Sequence, residues 1–380
     1  MKPIQHILRL GIACLALTFA PIHAQADYAQ REDAAAFANE IAARNQLDAA
    51  QILSALSRAN YDPRVIKLIK PPETRIARSW QRYRSRFLDH LHVVAGLAAW
   101  SQYENELLRA EKQYGVPPEI ILGILGVETI YGRNTGNFET LSALATLAFD
   151  YPPRADLFRG ELEALFLLAK DQKREPASYT GSYAGAIGWP QFLPSSIRRY
   201  AVDFDGDGKI DFESNAVDAI GSVANYLHVH GWRPDEPVAE KAWLTPEANP
   251  EPLIAAGIEP TLTLEQLAAA GIFPIAKSQP ANTSETTLVD LETPDKPTEY
   301  WLGYRNFYVI TRYNRSSFYA MSVFQLAQAL RTAHDTGHYD VPPPANTAAK
   351  AKRTAAKTKK AAPHSKPVGT NPRKAVRRKS

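Results

Sequence analysis

The chain has 380 residues, 45% of them hydrophobic, which is enough for one large domain or two ordinary ones with a packed core. Its 44 basic and 40 acidic residues are unevenly placed: residues 343–380 hold twelve Lys or Arg and no acid, leaving 32 basic and 40 acidic residues, a net of −8, in residues 1–342. The acidic body excludes a chain-wide polyanion-binding surface, and the tail, rich in Ala, Lys, Pro and Thr without aromatics, is too polar to bury a core and is expected to be disordered.

The N-terminus has the pattern of a signal peptide. Lys2 and Arg9 give a positive start, residues 10–19 an apolar stretch, and Ala24-Gln25-Ala26 a cleavage site, with the mature chain beginning at Asp27. A periplasmic location follows. The single cysteine, Cys14, lies inside this stretch; an outer-membrane lipoprotein anchored through Cys14 is the alternative, although Gly11-Ile12-Ala13 before it makes a poor lipidation signal. No other segment is apolar enough to cross a membrane. An exported chain seldom meets nucleic acid, so none is expected as a partner. The tail instead suits an acidic envelope surface, and nothing suggests more than a monomer.

Residues 27–112 read as helical. Residues 33–56 are Ala-rich, with Phe37, Ile41 and Ile52 spaced for one face, and residues 87–108 continue the pattern through Val93, Leu97, Trp100 and Tyr103. Further helices are expected at 117–131, 138–149 and 155–170. A glycine-rich turn, Gly181-Ser-Tyr-Ala-Gly185-Ala-Ile-Gly188, leads to a helix capped by Ser195 or Ser196. Residues 215–230 form another helix. Residues 235–300 carry many prolines and short alternating runs, and read as a small β-containing insertion with a short helix near 264–270. Residues 304–313 read as a strand or extended segment, and 320–334 as a final helix.

The most informative residue is Glu128, the one acid in the apolar run from Ile120 to Ile130. Pro117, Pro118 and Glu119 mark the helix start, and Gly132 marks its end. Ile121, Ile124 and Leu125 share the face of Glu128 at helical spacing. Burial against apolar groups and a place near the negative end of the helix dipole both favour the protonated carboxyl. Such a group can donate a proton to a leaving oxygen near pH 7. The plainer reading is a buried Glu bonded to a Tyr or Arg that only holds the fold.

The second signal is Asp203-Phe-Asp205-Gly-Asp207-Gly208-Lys209-Ile210-Asp211, which has the spacing of an EF-hand calcium loop. Alternating Asp side chains supply converging oxygens, Gly208 allows the sharp turn, and Lys209 would contribute its carbonyl. Ser214 stands where a bidentate Glu is usual; Asp218, in the next helix, is the candidate for the last ligand. A structural calcium is expected, since no nucleophile or base lies in the loop. Tyr83, Tyr313 and Asn314 lie in aromatic and polar stretches suited to sugar faces and hydroxyls. No serine-hydrolase elbow, zinc-protease, phosphate-loop or dinucleotide motif occurs.

Several stretches together resemble the lytic murein transglycosylase B family. They are Gly115-Val-Pro-Pro-Glu-Ile, Gly126-Val-Glu128-Thr, the 181–188 turn, Gln191-Phe-Leu-Pro-Ser-Ser196, Val202-Asp-Phe-Asp-Gly-Asp-Gly, residues 218–226, and Asn306-Phe-Tyr-Val-Ile-Thr-Arg-Tyr-Asn314. They run in the family's order over about residues 80–335. The resemblance implies a mainly α (α+β) fold: a lysozyme-like helical core with a flanking helical domain, a small β-containing insertion and an EF-hand-like calcium loop. On that reading the chain divides into a signal peptide (1–26), an N-terminal helical domain (27–115), a catalytic core (116–234, calcium loop 203–218), the insertion (235–300), a segment completing the cleft (301–342) and the basic tail (343–380).

The resemblance also implies roles. Glu128 falls on the single catalytic acid/base and Ser182 on the serine that contacts the substrate's acetamide. Gln191, Tyr83, Tyr313 and Asn314 fall on cleft residues. Arg154 matches one of two arginines that meet the peptide stem, its neighbour being Pro153 here. Trp189-Pro190 replaces a smaller pair. The implied substrate is peptidoglycan, cut at the β-1,4 bond between N-acetylmuramic acid and N-acetylglucosamine to leave a 1,6-anhydro end. The alternatives are a hydrolysing muramidase with the same acid and a non-catalytic wall-binding protein.

Overall fold

The computed structural model describes residues 28–72, 77–275 and 285–341. The signal segment, Cys14 and the basic tail therefore lie outside the described residues. Packing joins distant stretches into two compact units that interleave along the chain. The first unit comprises residues up to 71 with 136–187 and 193–195; the second comprises 72–135, 188–192 and the remainder.

The first unit is helical. The Ala-rich stretch 33–56 is two helices, Glu32–Asn45 and Ala49–Leu56, because Gln46 turns left-handed and Asp48 caps the second through the backbone N–H of Ala50. Helix Thr140–Asp150 is buried all round, and Ala155–Gln172 follows it. Tyr28 ties the start of the unit to Asp150, its hydroxyl donating to Oδ2 at 2.7 Å, while Arg31 pairs with the other oxygen at 2.6 Å. Phe138–Glu139 and Thr180–Gly181 form a two-residue antiparallel pair. The helix expected to be capped by Ser195 or Ser196 instead begins at Pro194. Proline lacks the N–H that a first-turn residue leaves unpaired anyway, and its φ suits that position. Ser195 turns to Glu161, its N–H and Oγ donating to the carboxylate at 3.0 and 2.7 Å.

The second unit is built on a helix pair. Pro118–Thr129 has proline in its first turn and is buried on almost every side. Ser317–Thr336, capped by Ser316 through the N–H of Tyr319, runs antiparallel against it. The pairs down the contact show the direction: Glu128 meets Tyr319, Gly126 meets Leu326, Gly123 meets Val323, and Glu119 meets Arg331. The two glycines set the spacing. A Cβ on Gly123 would lie 2.8 Å from the Val323 carbonyl oxygen, and one on Gly126 would lie 2.8 Å from a Leu326 methyl. Both are closer than atoms pack.

A four-stranded antiparallel sheet belongs to the same unit. Its strands are β1 (Ala239–Leu244), β2 (Ile272–Pro274), β3 (Thr287–Leu291) and β4 (Glu299–Gly303), in the order β2-β1-β4-β3. The short helix expected near 264–270 is Leu264–Ala269, with a Thr263/Gln266 capping box. The expected strand over 304–313 is a helix, Arg305–Thr311. Its run of Phe, Tyr, Val and Ile favours a strand locally, but tertiary contacts override that preference. Buried Asn306 accepts from the Arg233 N–H and donates to the Arg233 and Glu236 carbonyls, which fixes a helical first turn, and Phe307 and Ile310 bury one face at i, i+3.

Candidate active site

Glu128 occupies the last turn of Pro118–Thr129. The helix stops at once. Ile130 and Tyr131 both have positive φ, 53° and 56°, followed by Gly132 at 79°. A β-branched residue in that conformation is strained, and such strain persists only where surrounding contacts hold it. Here they do. Thr129 Oγ1 donates to the Trp189 carbonyl at 2.9 Å and accepts from the Gly132 N–H at 3.0 Å. Gly132 lies flat against the Trp189 indole, where a Cβ would fall 2.2 Å from a ring carbon. The larger 189–190 pair therefore packs on the turn that ends the acid helix.

Three tyrosines surround the acid. Tyr319, in the first turn of Ser317–Thr336, donates its hydroxyl to Glu128 Oε1 at 2.6 Å. Tyr313 and Tyr83 are close enough for the Glu128 charge to raise their own pKa values, after burial as the larger cause. Tyr313 donates to the Pro190 carbonyl at 2.8 Å and lies parallel to Tyr319, with ring centres 6.5 Å apart. Tyr83 packs edge-on against Phe318. All three phenols stay protonated, so they act as donors or apolar walls and not as bases.

This pocket pushes the Glu128 pKa up to about 7, through burial; the Tyr319 hydrogen bond, which favours the ionised carboxylate, opposes it. No other carboxylate contributes to the shift. Oε2 has no hydrogen-bond partner among the described residues. The group is therefore a lone carboxyl, half protonated near neutrality, with one oxygen held and the other free to pass a proton.

The remaining expected site residues divide between the units. Gln191 lies in the second, in a left-handed conformation (φ 52°), and its amide donates to the Thr135 and Gly188 carbonyls at 3.0 and 2.9 Å. It braces the loop that also carries Trp189 and Pro190. Asn314 is exposed at the bend after Tyr313. Ser182 belongs to the first unit, at a tight turn where its Oγ accepts from the Ala186 N–H at 3.1 Å. Arg154 is there too, exposed, its guanidinium 5.2 Å over the Phe158 ring.

The acidic loop lies in the second unit. Ligand oxygens of Asp203, Asp205 and Asp218 all fall within 4.8 Å of one another. Asp218 is wholly buried in the first turn of Ala216–Val229, and burial raises its pKa. None of the three forms an ion pair among the described residues. Three converging carboxylates, one of them desolvated, suit a hard cation with oxygen ligands. Asp207 and Asp211 are not in this cluster. Asp207 accepts from the Lys209 N–H at 2.8 Å, and Asp211 from the Glu213 N–H at 2.8 Å and the Ser214 hydroxyl.

A family model described as the transglycosylase SLT domain matches residues 29–328. The chain belongs to that family. Membrane-bound lytic murein transglycosylase B of Escherichia coli (strain K12) is 43% identical over 317 residues, covering 81% of this chain and 85% of the relative. The Escherichia coli lytic transglycosylase Slt35, solved in complex with calcium, is 42% identical with a TM-score of 0.73, over 82% of this chain and 96% of that one. SltB3 of Pseudomonas aeruginosa, solved in complex with NAG-anhNAM-pentapeptide, is 28% identical with a TM-score of 0.68, over 85% and 86%. The mainly helical fold with small antiparallel sheets is thus the family's, and the chain is a lytic transglycosylase. Sequence reasoning missed Tyr319 and the bracing role of Thr129. Tyr319 follows the helical cap Ser316, but nothing local in the sequence directs it at Glu128, 191 residues earlier.

Proposed function

We propose that this lytic murein transglycosylase cuts peptidoglycan with Glu128 as its one acid/base. The observation that carries this reading is the lone carboxyl raised to about 7 in a tyrosine-lined pocket. Glycosidases that work by two carboxylates need a second one to hold a water or form a covalent bond; substrate-assisted enzymes are the exception. In the proposed sequence, protonated Glu128 gives its proton to the glycosidic oxygen, and the bond from that oxygen to C1 of N-acetylmuramic acid breaks. The substrate's own acetamide oxygen stabilises C1. Glu128, now ionised, takes the proton from the C6 hydroxyl as that oxygen bonds C1. The product is a 1,6-anhydro sugar, Glu128 is protonated again, and no water is consumed. Intramolecular attack by C6–OH replaces a bimolecular step, worth several kcal/mol where the geometry is favourable. Tyr319 holds the ionised form between the two proton transfers. The assignment of Ser182 to the acetamide, and of Arg154 to the peptide stem, rests on the motif resemblance.

A structural calcium, held by Asp203, Asp205 and Asp218, belongs to the same reading. Bound there it would neutralise three clustered carboxylates and tie the 203–211 loop to helix Ala216–Val229. Among the described residues no helix is long and apolar enough to cross a membrane. Residues 1–26 fit export to the envelope, where the substrate lies, and the +12 tail fits electrostatic retention on acidic wall or membrane surfaces.

Glu128→Gln keeps the size and loses the transferable proton. Release of anhydro-muropeptides from sacculi, followed by mass spectrometry, should fall by at least ~10²-fold with little change in melting temperature. Activity within tenfold of wild type, or products heavier by one water in the wild type, would reject the mechanism. Calcium should raise the melting temperature and chelator lower it, by mass action on the folded state. Asp203→Asn with Asp205→Asn should abolish that response, and a wild-type melting curve indifferent to chelator would reject the site. Deleting residues 343–380 should weaken pelleting with sacculi and flatten its salt dependence; equal pelleting at low salt would remove the tether.

A further inference from the structure

One corner of the four-stranded sheet is uncovered. By alternation, Lys241 and Trp243 of β1, Phe273 of β2, and Glu299 and Trp301 of β4 share one face. Ala242, Ile272 and Leu302 point to the other, where they pack with Leu267 into a small core. Trp301 is buried, edge-on to Phe324 of Ser317–Thr336. Trp243 is left 49% exposed, and Ile275, just past β2, is 58% exposed.

A single exposed apolar residue is ordinary, but the setting of Trp243 is not. Its ring stacks on that of Phe273, directly opposite in the β1–β2 register, with ring centres 4.9 Å and planes 23° apart. Phe273 thus covers one face of the indole and fixes its orientation. A cavity of about 300 Å³, at the small end of ligand sites, is lined from β1, Trp243 included, from β4 and from Thr298, with nothing from β2. It therefore lies on the side of the indole away from Phe273. Its charged lining groups are Lys241 and Glu299, both exposed. Continuing the β1–β4 register puts Glu299 opposite Trp243, while Lys241 stands two residues along β1 from it. Neither forms an ion pair among the described residues; the Lys241 ammonium sits 5.6 Å over the Trp301 ring instead.

An indole held rigid, with an acceptor and a donor beside its open face, has the chemistry to take a sugar ring. The C–H face of a pyranose packs on the aromatic face, and its hydroxyl and acetamide groups donate to Glu299 and accept from Lys241. A β-1,4-linked N-acetylhexosamine keeps its substituents equatorial, so that C–H face is unbroken. The two charges cancel, which gives the cavity no net attraction for an anionic membrane surface. Trp243, Phe273 and Ile275 together expose on the order of 200–300 Å², against about 800 Å² per partner in a stable protein interface. We propose that this corner of the sheet is an accessory glycan site, which binds an N-acetylated sugar of a β-1,4 strand on Trp243. That the strand is the wall's own rests on the peptidoglycan reading above; the aromatic and charged arrangement does not. None of Glu128, Tyr83, Tyr313 or Tyr319 lines this cavity, so the site would retain a strand without filling the acid pocket.

The test uses the mature full-length chain carrying Glu128→Gln, so that no probe is cut. Indole N–H signals are followed by ¹⁵N NMR during titration with chitotetraose, the Trp243 signal being the one missing in Trp243→Phe. That signal should move saturably at millimolar sugar. Lys241→Met and Glu299→Met should each weaken the midpoint about threefold or more. Trp243→Ala should weaken pelleting with peptide-free glycan strands about three- to tenfold, and Trp243→Phe should restore most of it. All three side chains are exposed, so the variants should melt close to the parent. A Trp243 signal that chitotetraose does not move, or pelleting unchanged in Trp243→Ala, overturns the proposal. So does an equal movement on adding anionic vesicles, or on raising protein concentration alone, which would assign the patch to a membrane or to a second copy. Cleavage of strands by the Glu128→Gln chain, read by mass spectrometry, would reject the acid assignment while the NMR titration still decides the glycan site, so the two failures are distinguishable.

Discussion

Everything at the acid depends on how closely two helices approach. Pro118–Thr129 and Ser317–Thr336 pack antiparallel with Gly123 and Gly126 at the contact, and even one methyl group there would collide with Val323 or Leu326. That spacing brings the Tyr319 hydroxyl within 2.6 Å of Glu128. Overpacking such a contact typically costs about 1–3 kcal/mol, and here it would also pull the phenol off the acid. Glycine is a poor helix residue, so its two appearances in one helix trade local propensity for tertiary proximity.

The acid's chemistry follows from two opposed effects of that packing. Burial favours the neutral carboxyl, while the one hydroxyl that reaches it, that of Tyr319, favours the carboxylate. A group meant only to donate would need no such bond. A group that must donate and then accept is served by a pKa near the working pH, where neither form is strongly disfavoured. The strained turn at Ile130 and Tyr131 ends the helix one residue past Thr129, and Thr129 and Trp189 hold that turn in place.

Much of this was legible in the sequence. Glu128 stood out because a single carboxyl in an apolar helical run has few bland explanations, and the 203–211 loop because its Asp spacing matches one coordination geometry. Tyr319 was not legible, since it lies 191 residues from its partner and periodicity within one helix says nothing of the register between two. Residues 304–313 misled because their side chains favour a strand while Asn306, bonded to residues about 70 positions earlier, imposes a helix. The cap at 195–196 failed for a simpler reason: Pro194 already satisfies the rule for a first helical residue. The grouping of the chain into interleaved units has no local signal, because it depends on which apolar faces meet.

The most direct test is the carboxyl titration of Glu128, followed by NMR with ¹³C-labelled glutamate and assigned through Glu128→Gln. The account predicts a midpoint near 7 in the wild type. Tyr319→Phe should move it higher, because the lost hydrogen bond had favoured the ionised form, and the alkaline limb of the pH–rate profile should shift the same way. A wild-type midpoint near the ordinary value of 4.5, or a downward shift in Tyr319→Phe, would contradict it.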